Sequence, residues 1–198
     1  MVEKIILASS SPRRRELLEN IGVKFDIVVS MADESKIKRD IAPDVLVREL
    51  AILKAVQTAK EIKGEHFVIS ADTVVYHDGK ILEKPKNEED AKHMLRSLSG
   101  DKHSVYTGVC VLKTPECRAE CSTEKTDVYF RELSEETIEK YVKTGEPMDK
   151  AGAYGIQEKG ALLVKKIDGD YFNVVGLPLG LLSDIFKNEF DVDLLGKI

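Results

Sequence analysis

The sequence predicts an α/β protein with a mixed, twisted sheet and flanking helices. Short uninterrupted apolar runs, typical of buried strands, alternate with segments whose apolar residues recur at helical spacing. Two long segments of alternating apolar and polar residues follow, as expected for antiparallel strands. Of the 198 residues, 42% are hydrophobic, enough for burial to offset chain entropy, and no repeat or linker marks a boundary. We therefore expect residues 1–198 to form a single domain, with two lobes whose boundary the sequence does not assign.

The first half of the chain predicts a strand, a polar loop and a helix, followed by further α/β elements. Uninterrupted apolar residues indicate the strands, and apolar residues at a period near 3.6 indicate the helices. In chain order, these elements are a strand over 4–8, a helix from Pro12, a strand over 25–29, a helix from Pro43 to about Gly64, a strand over 66–71 that ends at Asp72, and a hairpin over 74–83 that turns at 77–80.

The second half predicts the antiparallel part of the sheet. Turn residues at 114–116 join the two long strands, and Ser134 is a suitable N-cap for the helix that follows them. The predicted elements are a helix over 87–98, strands over 103–112 and 118–131, a helix from Ser134 to Val142, a glycine-rich loop over 149–155, a strand over 161–167, and a last helix opened by Pro178.

Charge and cysteine content narrow the classes of protein that this chain fits. A formal net charge of −5 argues against general affinity for nucleic acid, which needs clustered positive charge. The apolar run over 1–8 is too short for a signal sequence, and no apolar stretch has the length of a membrane span, so we expect a cytoplasmic protein without a membrane partner. Cys110, Cys117 and Cys121 form no CxxC pair, and reduced thiols are the expectation.

The loop after the first predicted strand is a candidate phosphate site. Ser11 is a suitable N-cap and Pro12 a suitable first helical residue, so backbone N–H groups and the helix dipole would favour an anion there. Ser9 adds a hydroxyl donor, and Arg13 and Arg14 add guanidinium groups that match phosphate oxygens. An ordinary capped helix with solvated arginines explains the same composition equally well. The chain has neither GxxxxGK[ST] nor a strand-linked GxGxxG, which argues against P-loop, kinase and dinucleotide-binding proteins.

Acidic and basic residues further along the chain supply groups that phosphate chemistry needs. Asp72 follows the most apolar run, where a carboxylate could hold a divalent metal or deprotonate a water; a turn cap is the alternative. Asp33 and Glu34 would complete an oxygen-rich magnesium site if their loop folds inward, although a solvated acidic loop is the simpler interpretation. Lys54 and Lys84 could neutralise phosphate, but a lone lysine is more often a surface charge.

Six segments taken together resemble the Maf family over nearly the whole chain and in the family's order. They are 6–14 (ILASSSPRR), 71–75 (ADTVV), 83–85 (EKP), 98–100 (LSG), 149–157 (DKAGAYGIQ) and 169–178 (GDYFNVVGLP). The resemblance implies an elongated two-lobed fold with a central cleft, similar to inosine triphosphate pyrophosphatases. It also implies hydrolysis of nucleoside triphosphates to a monophosphate and pyrophosphate, usually with magnesium or manganese, which removes unwanted nucleotides from the pool. A homodimer is a further family expectation.

The same resemblance implies roles for individual residues. These are Asp72 as general base and metal ligand, Ser9 and Arg13 as phosphate contacts, Glu34 as metal ligand, and Lys54 and Lys84 as lining of the phosphate channel. The branch of the family that prefers dTTP and UTP resembles this chain in having Arg13, Thr73 and Gln157. The Gln157 amide offers a donor and an acceptor, which suit the O4 and N3–H edge of thymine and uracil. A surface amide is the alternative for Gln157 taken alone.

Two rival functions stay open at this point. The family has also been linked to inhibition of septum formation, so the chain could be a regulator that binds nucleotide without turnover. An inosine or xanthosine triphosphate pyrophosphatase on a similar fold is the second rival. Pyrophosphate release from a panel of triphosphates separates all three.

Overall fold

A computed structural model of the chain describes residues 4–197, which form helices and one mixed sheet. The strands of this described part are β1 (Lys4–Leu7), β2 (Phe25–Ile27), β3 (His66–His77), β4 (Lys80–Leu82), β5 (Lys102–Thr114), β6 (Arg118–Phe130) and β7 (Val164–Asp168). The α-helices are α1 (Pro12–Asn20), α2 (Pro43–Glu61), α3 (Glu88–Leu98), α4 (Glu135–Val142), α5 (Tyr171–Val175) and α6 (Leu179–Phe190). Short 3-10 helices cover Glu34–Lys36, Glu146–Asp149, Ala151–Ala153, Glu158–Leu162 and Leu195–Lys197.

The strands pair in the order β2-β1-β3-β5-β6-β7, and β4 pairs with β3 off this path. Strand β1 is parallel to both of its neighbours, with Ile5 opposite Phe25 and Ile6 opposite Val68. The β3–β4 and β6–β7 pairs are antiparallel. The predicted α/β class with a mixed sheet is therefore confirmed.

The chain divides into two compact units. The described part of the first unit comprises 4–72, 107–124 and 176–197. In its interior the Phe67 ring meets Phe186 and Phe190 edge to face, with centroids 5.2 and 5.3 Å apart. A second apolar cluster of this unit contains Ala51 and Ala55, so two residues of α2 lie in the core.

The second unit comprises 73–106 and 125–175 and has its own core. Residues from α3, α4, β5 and β6 fill this core, among them Leu95, Ile138 and Val128. His103 is also buried there, and its Nε2 lies 2.6 Å from the Tyr154 hydroxyl oxygen. The core of the second unit therefore contains a polar pair.

Strand β3 is longer than predicted, and this changes the setting of Asp72. The strand does not end at Ala71 but continues to His77, because the hairpin partner β4 pairs with its last residues. Asp78 and Gly79 make the two-residue turn with φ of 46° and 74°, as a type I′ turn requires. Asp72 therefore lies within a strand, beyond the point where the parallel partner β1 has ended.

Other boundaries differ for local reasons. The strand predicted over 161–167 begins only at Val164, because Glu158–Leu162 forms a 3-10 helix. Helix α5 was not predicted; its five residues are too few for an apolar period to be recognised. Pro178 stands at the N-cap of α6 and the helix begins one residue later.

The expectation of three reduced thiols is wrong for two of them. Cys110 and Cys121 form a disulfide, with Cα atoms 4.1 Å apart, and Cys117 is an exposed free thiol. The hairpin of β5 and β6 brings Cys110 and Cys121 close together, a pairing that cysteine spacing does not reveal. Separately, no helix of residues 4–197 is long and apolar enough to cross a membrane.

Candidate active site

Helix α2 carries Lys54, and two contacts within the first unit hold it against the sheet. The Ser70 hydroxyl in β3 donates a hydrogen bond of 2.6 Å to the Ala51 backbone oxygen. Gly108 in β5 approaches the α2 backbone so closely that a Cβ there would lie 2.3 Å from the Val47 oxygen. The lysine is therefore presented by a helix whose position is set by a buried hydrogen bond and by backbone packing.

Lys54 joins the two carboxylates that the sequence singled out. Its Nζ donates to Oδ1 of Asp72 and lies 3.0 Å from Oε1 of Glu34. Residues two apart share a face of a strand, and residues three apart share a side of a helix. The Ser70–Ala51 hydrogen bond and the Lys54–Asp72 pair therefore lie on the same face of this helix–strand contact.

The two neighbouring acids, Asp33 and Glu34, have different surroundings. Asp33 caps a 3-10 turn, accepting from the Ser35 N–H at 3.2 Å and from its hydroxyl at 2.5 Å. These hydrogen bonds lower the pKa of Asp33. Glu34 instead reaches Lys54, and its other oxygen lies 3.7 Å from Nη2 of Arg39. The acidic loop is thus partly turned inward, with Glu34 as the residue that meets the site.

The loop between β1 and α1 is folded around the buried Ser9 side chain. Ser9 Oγ accepts from the Ser11 N–H at 3.1 Å and lies 3.3 Å from Nη1 of Arg14. Arg14 Nε also donates to the Gly176 backbone oxygen at 2.7 Å. Ser11 is the N-cap of α1, but its side chain makes no capping hydrogen bond. Ser11 is therefore the N-cap that the sequence predicts, and Arg14, which the alternative takes as solvated, is instead bonded to the protein.

Arg14 connects this loop electrostatically to the carboxylates. Burial lowers its pKa, and the Asp72 and Glu34 carboxylates oppose this effect. Its side chain is half-buried and hydrogen-bonded to the protein, which makes it an anchor of the loop. Arg13, on the first turn of α1, is also half-buried. The first unit therefore brings together Ser9, Arg14, Glu34, Lys54 and Asp72.

The donor set suits a hard divalent cation held partly by substrate. Glu34 and Asp72 offer carboxylate oxygens on either side of one ammonium group. Within residues 4–197 no three His, Cys, Asp or Glu side chains gather into a metal-binding group. Magnesium commonly takes one or two carboxylates and completes its shell with water and phosphate oxygens, so these two residues fit such an ion.

Three predicted residues belong to the second unit. Thr73 follows Asp72 directly in β3 and is half-buried, and Lys84 is exposed beside the buried Pro85. Gln157 is half-buried, with extended φ and ψ of −87° and 174°, just before a 3-10 helix. Their roles stay predictions.

Two residues near the site were missed from the sequence. Ser70 is fully buried inside an apolar strand, and a polar residue in such a run was the available signal. Arg39 lies beyond the Glu34 turn in a charged segment, where nothing local distinguished it from the neighbouring basic residues.

The fold and these groups define an α/β protein in which carboxylate, ammonium and guanidinium groups gather beyond the carboxyl end of the parallel strand β1. Residues 4–189 match the Maf family, described as Maf-like protein. A dTTP/UTP pyrophosphatase of Acetivibrio thermocellus is 52% identical over 98% of this chain and 99% of the relative. A dTTP/UTP pyrophosphatase of Caldanaerobacter subterraneus subsp. tengcongensis is 50% identical over 98% of this chain and 93% of the relative. The chain belongs to the Maf family.

Solved structures support the fold alone. A HAM1 protein from Coxiella burnetii aligns with a TM-score of 0.53 at 11% identity, over 94% of this chain and 100% of that one. The Staphylococcus aureus Ham1 protein aligns with a TM-score of 0.50 at 13% identity, with the same coverage.

Proposed function

We propose that this chain hydrolyses dTTP and UTP to the monophosphate and pyrophosphate, and so removes these or modified pyrimidine triphosphates from the nucleotide pool. The observation that carries the proposal is the Lys54 ammonium group shared by Asp72 and Glu34. The full-length similarity to proteins named dTTP/UTP pyrophosphatases supports this choice of substrate.

Asp72 acts as the general base in this proposal. Lys54 engages Oδ1 and holds the carboxylate in place, so Oδ2 is the oxygen that takes the proton from the attacking water. The water attacks the α-phosphorus and pyrophosphate leaves. Ser9 and Arg13 bind phosphate oxygens, and Lys54 and Lys84 neutralise charge as it develops, because phosphoryl chemistry depends mainly on positioning and electrostatics. Arg14 supports phosphate binding by holding the Ser9 loop.

Glu34 and Asp72 would hold a magnesium or manganese ion. Such an ion would neutralise phosphate charge and orient the substrate. The two carboxylates and a divalent ion would together carry no net charge, so the Lys54 ammonium group, which contacts both acids, would add a positive charge available to phosphate oxygens.

Base selection is assigned to Arg13, Thr73 and Gln157. The Gln157 amide can donate to O4 and accept from N3–H, a pattern that thymine and uracil share. We place the reaction in the cytoplasm, where nucleotide pools lie. A homodimer is proposed from family membership alone, and no nucleic-acid or membrane partner is proposed.

Replacing Asp72 by Asn tests the proposal. With dTTP and magnesium we expect kcat to fall by about 10²–10⁴-fold, with a smaller change in KM, because the amide cannot accept the proton. Asp78→Asn, an exposed turn residue further along the same hairpin, is the matched control and should retain parent activity. A near-parental kcat for Asp72→Asn would exclude this residue as base.

A panel of triphosphates with product identification tests the substrate. Preference for dTTP and UTP, with pyrophosphate as product, is the expected result. Tight nucleotide binding without turnover would instead support the regulator of septum formation. Preference for inosine or xanthosine triphosphate would support the purine alternative.

A further inference from the structure

The segment that carries Gln157 is closed on itself by two hydrogen-bonding side chains of the second unit. Glu146 Oε1 accepts from the Gly160 N–H at 3.0 Å, and its Oε2 accepts from the Lys159 N–H at 3.3 Å. These two amides follow Gln157 by only two and three positions. One carboxylate therefore holds the chain immediately after the predicted base-reading residue.

Tyr141 holds the chain immediately before it. The hydroxyl of Tyr141 donates to Oε1 of Glu146 at 2.9 Å and accepts from the Gly155 N–H at 3.3 Å. Tyr141 is buried in the core of the second unit on helix α4. Burial raises the pKa of Tyr141, so its hydroxyl remains a donor. Gln157 thus lies between two anchored points, Gly155 on one side and Gly160 on the other.

The two anchored points are also in contact with each other. A Cβ on Gly160 would lie 2.0 Å from the Gly155 backbone oxygen and 2.8 Å from the Tyr141 hydroxyl. The backbone closes tightly enough that only glycine fits at this position. Glu158, inside the closed segment, has a φ of 52°, a left-handed conformation that a side chain adopts only when its surroundings impose it.

We propose that Glu146 is a positioning residue for base selection: through its hydrogen bonds to Lys159, Gly160 and Tyr141 it fixes the segment 155–160 and thereby the place of the Gln157 amide. This inference rests on the proposed function, in which Gln157 reads the pyrimidine edge. A glutamine side chain distinguishes thymine from cytosine only when donor and acceptor meet the base in a fixed order, so the backbone beneath it must be held.

Glu146→Gln is the informative substitution because it keeps size and shape. The amide has one acceptor oxygen where the carboxylate has two, and its NH₂ group would face a backbone N–H or the Tyr141 hydroxyl. We expect the ratio of kcat/KM for dTTP to that for dCTP to fall by about tenfold or more, mainly through a raised KM for dTTP, with kcat at saturating dTTP within about threefold of parent. Tyr141→Phe, which removes the hydrogen bonds to Gly155 and to Glu146 Oε1 but leaves the carboxylate bound to the Lys159 and Gly160 amides, should give a smaller loss.

Two controls separate positioning from charge and from general instability. Glu158→Gln makes the same charge change on an exposed residue of the same segment and should keep the parent ratio. Hydrogen exchange of the Lys159 and Gly160 amides should become about tenfold faster in Glu146→Gln, without activity entering the measurement.

The outcomes are distinguishable. Faster exchange with an unchanged dTTP to dCTP ratio overturns the positioning role and leaves the proposed function intact. An equal loss for both nucleotides with a lowered melting temperature shows a structural role only and also overturns it. A parent protein that releases no pyrophosphate from either dTTP or UTP overturns the proposed function, and this inference with it.

Discussion

The Lys54–Asp72 pair shows that the interpretation of a residue depends on its neighbours in the fold. The two side chains are 15% and 16% exposed, whereas Glu34 is 42% exposed. The inner pair is therefore largely removed from water, and losing one member leaves a charge that is poorly compensated. A lysine that is most simply interpreted as a surface charge becomes a central member of the site once its partner, 18 positions away, is known.

The substitution Gln157→Glu tests base reading directly. A carboxylate accepts but does not donate, so it cannot serve the acceptor O4 of thymine or uracil. We expect kcat/KM for dTTP and UTP to fall selectively, by about tenfold or more, with a smaller change for dCTP, whose exocyclic amino group can donate. The measurement is steady-state pyrophosphate release for each nucleotide. An equal loss across all nucleotides would contradict a base-reading role.

Helix α2 and strand β3 form the contact that brings Lys54 and Asp72, the proposed catalytic groups, together. Ser70 and Asp72 lie two residues apart on β3 and share one face of the strand. Ser70 binds the α2 backbone, and Asp72 binds Lys54. Gly108 on β5 allows the α2 backbone to come close at Val47. The distance between α2 and the sheet thus depends on the absence of a side chain at Gly108. The position of Lys54 depends in turn on that of α2.

Gly108→Ala should therefore disturb both stability and activity. The added Cβ would meet backbone atoms at 2.3 to 2.6 Å, which cannot move as a side-chain end would. We expect a loss of about 1–3 kcal/mol of unfolding free energy and a reduced kcat, measured by denaturant unfolding and by dTTP hydrolysis.

Gly180→Ala is the matched control for this prediction. Gly180 lies in α6 and an added Cβ has no neighbour within 4 Å. Alanine there should stabilise the protein by about 0.5–1 kcal/mol, since glycine is a poor helix former. Equal effects of the two substitutions would contradict the importance of close backbone approach at Gly108.

The chain divides into two compact units, and the core of the second contains a histidine that stays neutral. His103 packs edge to face against Phe130 and Tyr154, with ring centroids 5.0 and 5.2 Å away. Burial lowers the pKa of His103 to about 3. The folded chain therefore does not take up the proton that an exposed imidazole would bind below about pH 6.5.

This buried histidine makes global stability depend on pH. Because the folded pKa lies below the unfolded one, its contribution is fully present above about pH 6.5 and is lost as pH falls toward 3. Between pH 7 and pH 5 the loss should be about 2 kcal/mol, at roughly 1.4 kcal/mol per pH unit once the unfolded imidazole is charged.

Comparing the unfolding free energies of the parent and of His103→Gln at pH 7 and pH 5 measures the contribution of His103 to this pH dependence. The variant should lose about 2 kcal/mol less than the parent over the same interval, whatever its absolute stability. In the parent, the His103 ring resonances should not titrate in this range. Parallel stability curves, or a His103 titration near pH 6, would contradict the assignment of a neutral buried imidazole.

Local patterns predicted most of the elements correctly. The hairpin turn at Asp78 and Gly79, the helix start near Asn87 and the N-cap at Ser134 are where the sequence indicates them, because each depends on residues within a few positions. Strand ends were less accurate. The extension of β3 depends on pairing with β4 rather than on its own apolar run, which stops before Asp72.

Short-range periodicity and motifs in a fixed order were enough to predict the α/β class, the order of the elements and the family. The folded chain was needed to show that Lys54 meets both Asp72 and Glu34, that Cys110 pairs with Cys121, and that Glu146 binds the backbone just after Gln157. Each of these contacts depends on which helices, strands and loops pack together. Packing is set by burial over the whole chain, which no local pattern records.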